Sequence, residues 1–141
     1  FLPYPSFERS ARALDDARLG KQRVEVLQVL NALHGVRRGW VNHPAVRMWR
    51  GHEEALIEYG LAVTREWLRR GHGDTCLGKI RAFSRPERSR ARPPWLGKRA
   101  FHRSHRSALV RKDPARYGPM FPGVPCDLPY VWPVPREAER V

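Results

Sequence analysis

Apolar side chains along this chain recur at helical spacing rather than in the strict alternation of a half-buried strand. The clearest stretch runs from Asn42 to Gly71, where Val46, Trp49, Glu53, Leu56, Gly60, Val63 and Trp67 follow one another at steps of three and four. Asn42 or His43 caps it, Pro44 suits the first turn, and Gly71 stands where a C-terminal glycine belongs. The pattern predicts one helix of about 27 residues, about 40 Å long. Glu53 is the one polar residue in its stripe, and Gly51 and Gly60 are weak points or points of close approach. Upstream, Pro3 and Pro5 hold the opening extended. Ser6 caps a short helix through about Asp15, and Gly20 breaks it. A second helix then runs from Lys21 to Leu33, with Val26, Val29, Leu30 and Leu33 on its core side and Gly35 as its stop.

From His72 to Pro94 no period is visible, and Ser84 to Pro94 is an arginine-rich loop without core-forming residues. The segment of about 72–94 is expected to be mobile unless a polyanion orders it. A third helix spans about Arg103 to Lys112 and ends before Asp113-Pro114. The tail from Tyr117 to Trp132-Pro133 is rich in aromatics and prolines and reads as ordered coil wrapping the helices. No internal repeat is present. The expectation is an all-α fold, a single domain over 1–141, with about three main helices, an Arg-rich loop and a Pro/aromatic-rich C-terminal coil.

Composition narrows the function. A length of 141 residues fits one domain, and 41% hydrophobic residues support a real core. No apolar run approaches the roughly 20 residues that span a bilayer, and no secretory pattern is visible. Cys76 and Cys126 are too few for a disulfide framework, so a reducing cytosol is expected. The decisive quantity is charge: 27 Lys+Arg against 14 Asp+Glu give +13, with a pI near 11.1. Lysine occurs only at Lys21, Lys79, Lys98 and Lys112, so 27 − 4 = 23 of the cations are arginine. Such a balance on a folded domain points to a polyanionic partner, nucleic acid before membrane.

Three clusters could carry chemistry. Arg18, Lys21, Glu25 and Gln28 fall on one stripe flanking the apolar face of the second helix. A carboxylate at such an edge can do acid–base work in a cleft; the commoner alternative is a Lys21–Glu25 surface pair. Further on, His102, His105 and Arg106 share a helical face with Leu109, and with Ser104 and Ser107 they suit phosphate oxygens or simply form a solvated basic face. His43, Arg47, Trp49, Arg50 and His52 gather at one helix start, with Trp49 a core residue and the cations able to reach a nucleic-acid backbone. His72, Cys76 and Cys126 are available to zinc, but no close-spaced cysteine pair supports a site, and no metal or cofactor is expected. There is no P-loop, no GxGxxG, no nucleophile-elbow serine and no HExxH.

The order of features is similar to a known family. An extended start leads to a helix carrying Leu19 and Glu25; a long helix closes with Trp67-Leu68-Arg69-Arg70-Gly71; Pro93-Pro94-Trp95 precedes His102 to Lys112, and Tyr117-Gly118 lies in an aromatic tail. This resembles the pyrimidine-dimer DNA glycosylases, the T4-type endonuclease V family, over most of the chain except the Arg-rich loop. The resemblance implies a compact all-α, metal-free glycosylase and abasic-site lyase. Its nucleophile is the α-amine of the mature N-terminus and its assisting carboxylate a glutamate on an early helix, here Glu25. An α-amine, with a reference pKa of about 7.7–8.0, is far more often neutral at pH 7 than a lysine. By the resemblance that amine is at Phe1. The family removes Met before a small residue, and Phe1 is not small. Either residues precede it in the gene product or the amine is presented differently, and Lys21 is the second candidate.

The reading is therefore base excision from double-stranded DNA at damaged or modified pyrimidines through an amine–imine intermediate. Arg18, Arg23, His43, Arg47, Arg50, His102, Arg103, His105, Arg106 and Lys112 are expected to face the DNA. The alternatives are a non-catalytic nucleic-acid-binding module and an enzyme acting on hypermodified bases by another reaction. A monomer is expected, cytoplasmic and nucleoid-associated in a bacterium or phage-infected cell, with no membrane partner.

Overall fold

The computed structural model describes residues 1–35 and 42–133, and residues 36–41 and 134–141 of the expected 1–141 domain lie outside the described residues. The fold is all-α: α1 (Phe7–Ala13), α2 (Asp16–Leu33), α3 (Pro44–Trp49), α4 (Glu53–Arg69), α5 (Leu77–Arg81), α6 (Arg99–Lys112) and α7 (Pro114–Met120). No strand occurs among the described residues. The three long helices are α2, α4 and α6.

Helix α4 is the centre, packing on α1, α2 and α5. Its buried face carries Leu56, Tyr59, Gly60 and Val63, which join Leu19, Val26 and Leu30 of α2 in one apolar cluster. Two close approaches set the distance between helices. A Cβ at Gly60 would stand 2.7 Å from Val26 Cγ1, and one at Gly20 would stand 2.8 Å from Trp67 Cη2. Gly20 therefore does not end a helix as its residue type predicts. Helix α2 starts at the Asp15 cap and runs through Gly20, where the missing side chain admits the Trp67 ring.

The single long helix predicted from Asn42 to Gly71 is two helices. Gly51 takes φ +84°, a left-handed value that stops α3, and α4 begins at Glu53. Glu53 closes that turn by accepting from Gly51 N–H (3.2 Å), while the interior carboxylate is its neighbour Glu54, 3% exposed. Glu54 accepts from Ser84 Oγ (2.9 Å) and Arg85 N–H (2.6 Å), tying the start of the arginine-rich segment to α4. The five residues of α5 are too few to show a period, yet they bury Ile80 completely.

The tail also departs from expectation. Asp113 caps α7, Pro114 occupies its first turn, and Tyr117 is fully buried. The Tyr117 hydroxyl donates to Asp15 Oδ1 and accepts from Asp15 N–H (2.9 Å), which docks α7 on the α1–α2 corner. Residues 121–133, beyond α7, are coil, as the prolines predict.

Gly60→Ala is expected to lower stability by about 1–3 kcal/mol, because the β-branched Val26 has little freedom to move away. Gly78→Ala on exposed α5, with nothing within 4 Å of its Cβ, is expected to be neutral or to gain up to about 1 kcal/mol. Urea denaturation midpoints at unchanged m-value check both.

Candidate active site

Residues 1–3 are a single strand of coil, in neither helix nor sheet, so side chains take over the pairing of its backbone. His102 Nδ1–H donates to Leu2 C=O (2.7 Å), and Leu2 N–H donates to His105 Nδ1 (2.9 Å). Arg106 Nε–H donates to Pro3 C=O (2.7 Å), and the Tyr59 hydroxyl donates to Phe1 C=O (2.6 Å). Helix α6 thus holds the strand from one side and α4 from the other.

The strand brings the amine on Phe1 to α2. It donates to Gln22 Oε1 and lies 3.5 Å from the Tyr59 hydroxyl. Gln22 Nε2 in turn donates to Glu25 Oε2 (3.3 Å), so one amide bridges the amine and the carboxylate. Burial lowers the amine's pKa from 8.0 to about 5, with the negative charge of Glu25 opposing the shift. Burial raises the Tyr59 phenol, and Glu25 adds to that. Glu25 itself is 34% exposed in its side chain, with Lys21 Nζ 3.8 Å away on a side chain that is 77% exposed. On one side Glu25 makes the surface ion pair with Lys21, and on the other it accepts from the Gln22 amide that the amine also contacts.

These groups line a cavity of about 330 Å³ whose wall includes Trp49, Tyr59, His105, Tyr130 and Trp132. The tail forms one side of it through Tyr130 and Trp132, held to α6 by Leu128 N–H on Ser107 Oγ (3.0 Å) and Val131 N–H on Ser104 Oγ (3.2 Å). Met48 separates it from a second hollow lined by Asn42, Arg47, Arg50 and His52.

Several residues expected on the DNA face lie elsewhere. His102 and His105 are buried, 2% and 6% exposed, because their helix face turns inward onto the amino-terminal strand. Arg106 is drawn in with them to Pro3. Arg23 pairs with Asp74 and sits over the Trp67 ring (4.7 Å), and Arg18 holds Asp15 (3.1 Å). His43 caps α3 by accepting from Ala45 N–H (3.0 Å) and stands edge-on to Trp132 at the cavity. Arg50, Arg103 and Lys112 are exposed, and Arg47 is half-buried. The sequence reading missed Gln22, Tyr59 and Tyr130; a glutamine four residues before Val26 and seven before Val29, hence on the apolar stripe, was the signal available for the first. Of the cysteines and histidine considered for zinc, Cys76 is buried against Arg23 and His72 stacks on Trp67.

Burial pushes His105 well below its usual range, aided by the amine's positive charge and His102; burial also lowers His102. The amine and both imidazoles therefore titrate lower in the folded chain than in the unfolded one. As pH falls below 8, and again below 6.5, the unfolded chain takes up protons first. Stability present above pH 8 is expected to fall progressively towards pH 5, measured as a declining urea midpoint.

The sequence model of the family described as pyrimidine dimer DNA glycosylase matches residues 1–79. No curated protein and no solved structure matches the chain. The matched span carries the amino-terminal strand, Gln22, Glu25 and Tyr59, whereas His102, His105 and Tyr130 follow it. More than half of the sequence, including both ends of the amine–Gln22–Glu25 bridge, thus fits one family, and the chain belongs to the pyrimidine dimer DNA glycosylases, whose substrate is DNA with damaged pyrimidines.

Proposed function

We propose that the chain releases damaged pyrimidines from duplex DNA and then opens the strand at the abasic site through an imine, with Glu25 as the acid–base group. The observation that carries this reading is the meeting of an enclosed amine and a carboxylate, bridged by Gln22, on one aromatic-walled cavity. At about 330 Å³ the cavity is at the small end of the roughly 300–1,000 Å³ range of ligand sites, which suits one ring and its sugar.

The chemistry follows from those groups. A neutral amine attacks the sugar C1′, the glycosidic bond breaks, and the base leaves with the bonding pair and gains a proton. The Glu25 carboxylate stabilises the cationic sugar as it forms. One proton of the amine passes to O4′ as the C1′–O4′ bond breaks, which opens the ring and leaves the protonated imine. Glu25 then accepts a proton from C2′, the 3′ phosphate leaves, and water frees the amine. The first candidate for the nucleophile is the amine on Phe1, as the resemblance implies. Lys21 is the second candidate, since its Nζ is near Glu25 although out in solvent.

Arg47 and Arg50 in the neighbouring hollow, with exposed Arg103 and Lys112, are assigned to phosphate contacts. Holding the duplex open costs a few kcal/mol of unstacking, which these contacts offset. The chain is expected to act as a monomer.

Borohydride treatment of the protein with an abasic-site duplex is expected to give a covalent adduct that maps to the amino-terminal peptide. An adduct on Lys21 reassigns the nucleophile, and no adduct alongside salt-sensitive binding replaces this reading with a binding module. Glu25→Gln is expected to reduce strand cleavage by about 10²–10⁴-fold while DNA binding stays.

A further inference from the structure

The arginine-rich segment is held against the fold by the protein's own groups, and its arginines divide into two sets. Arg85 donates to Ala82 C=O (2.9 Å) and Ser84 C=O (2.8 Å). Arg88 donates to Phe83 C=O (3.0 Å) and to His34 Nε2 (2.7 Å), a ring that donates from Nδ1 to Leu30 C=O (2.8 Å). With Ser84 Oγ and Arg85 N–H on the Glu54 carboxylate, these bonds anchor the segment to the end of α2 and the start of α4. Arg81, Arg90 and Arg92 take no part in the anchor. They make no hydrogen bond among the described residues. Arg90 is paired with Glu54 and Arg92 with Glu58, each at 3.9 Å, beyond hydrogen-bond reach.

These three arginines line one hollow on α4, together with Ser84, Glu54 and Glu58. The side chains of Arg90 and Arg92 are 67% and 57% exposed, and Arg81 is exposed as well. Charge on the segment is unbalanced: residues 79–92 carry Lys79 and five arginines against Glu87, or 6 − 1 = +5. Gathering like charges on a fold is unfavourable unless a polyanion answers them. At 100° per residue, Glu58 and Glu54 lie roughly 100° and 140° round α4 from Tyr59. The hollow and the cavity are therefore on different flanks of that helix. Of the segment, only Lys79 falls within the residues that the family model matches.

We propose that this segment is a second DNA-binding surface, on which Arg81, Arg90 and Arg92 hold backbone phosphates of a duplex whatever its sequence. The inference rests on the DNA-binding part of the reading above and not on its amine chemistry. A guanidinium presents its N–H donors as a planar fork that fits two phosphate oxygens. Here the backbone carrying those forks is already ordered by Glu54 and His34, so binding gives up little chain freedom. Glu54 and Glu58 stand close enough to gather the arginines yet consume none of their donors. Phosphate contacts position a protein and carry no base information. The surface therefore takes undamaged duplex as readily as damaged.

The test uses the full chain and an undamaged duplex, with affinity followed by fluorescence anisotropy across a range of salt concentrations. Each phosphate contact contributes about 0.9 to the slope of log affinity against log salt, so Arg90→Gln with Arg92→Gln is expected to lower it by about 1.8. Arg90→Lys with Arg92→Lys keeps the charge and is expected to keep the slope. Arg9→Gln with Arg12→Gln, two exposed arginines on α1, removes equal charge and is expected to lower the slope by less than half as much. On the unaltered chain, the duplex is expected to protect Arg81, Arg90 and Arg92 from phenylglyoxal, mapped by mass, and to leave Arg12 reactive. Equal slopes for the two glutamine pairs, or unprotected Arg90 and Arg92 in a chain that binds duplex, overturn this inference alone. Protection without any preference for a damaged duplex overturns the glycosylase reading and leaves this surface standing. A chain that binds no duplex overturns both.

Discussion

The backbone of Leu2 is the contact on which the rest of the site depends. Both its polar groups are buried, and an all-helical fold has no sheet edge to receive them; left unmet, each would cost about 1–3 kcal/mol. Two histidines spaced i, i+3 on α6 meet them from one helix face, His102 as donor and His105 as acceptor. That pairing requires neutral rings in complementary tautomers, and burial supplies the neutrality. It also fixes α6 to the strand, which Tyr59 fixes to α4 through Phe1 C=O. The amine end, the Gln22–Glu25 bridge and the cavity wall are consequences of where Leu2 is held.

Helical period was enough to find the long elements and the core face of α2, because packing selects for apolar residues on one side. It could not tell a glycine that ends a helix from one that admits a neighbour. Gly20 has a tryptophan ring against it and Gly51 a left-handed φ, and both look alike in sequence. Joining α3 to α4 followed from a stripe that stays in register across a three-residue break. The same continuity put Glu53 in the interior, when the buried carboxylate is one residue further on.

Of the residues lining the cavity, Glu25 was singled out as a carboxylate at the edge of an apolar stripe, and the resemblance gave it a role. The placement of His102, His105 and Arg106 on one face was also legible, but their destination was not. A basic face reads as a phosphate surface when charge is the only guide. What that face meets is the backbone of residues 100 or more positions away, and backbone carbonyls and amides carry no mark in a sequence. Glu54 is the matching case: its partners Ser84 and Arg85 N–H lie in a segment whose composition shows only its positive charge.

Gln22 sets how strongly Glu25 can act on the amine. Moving the amine's pKa from 8.0 to about 5 disfavours its charged form by roughly 4 kcal/mol, about three steps of 1.36 kcal/mol. A carboxylate in direct contact would recover much of that and hold the amine as an unreactive ammonium. A carboxylate on the far side of the cavity would leave the amine neutral but could not reach a proton of the same sugar. An uncharged amide between the two solves both problems. Its oxygen accepts from the amine and its nitrogen donates to Glu25; in the proposed reaction its length would keep the negative charge near enough to stabilise a cationic sugar yet too far to quench the amine. A glutamate at that position would restore the ammonium, and an alanine would leave both groups to water, so the bridge depends on the amide and not merely on filling the interface between helices.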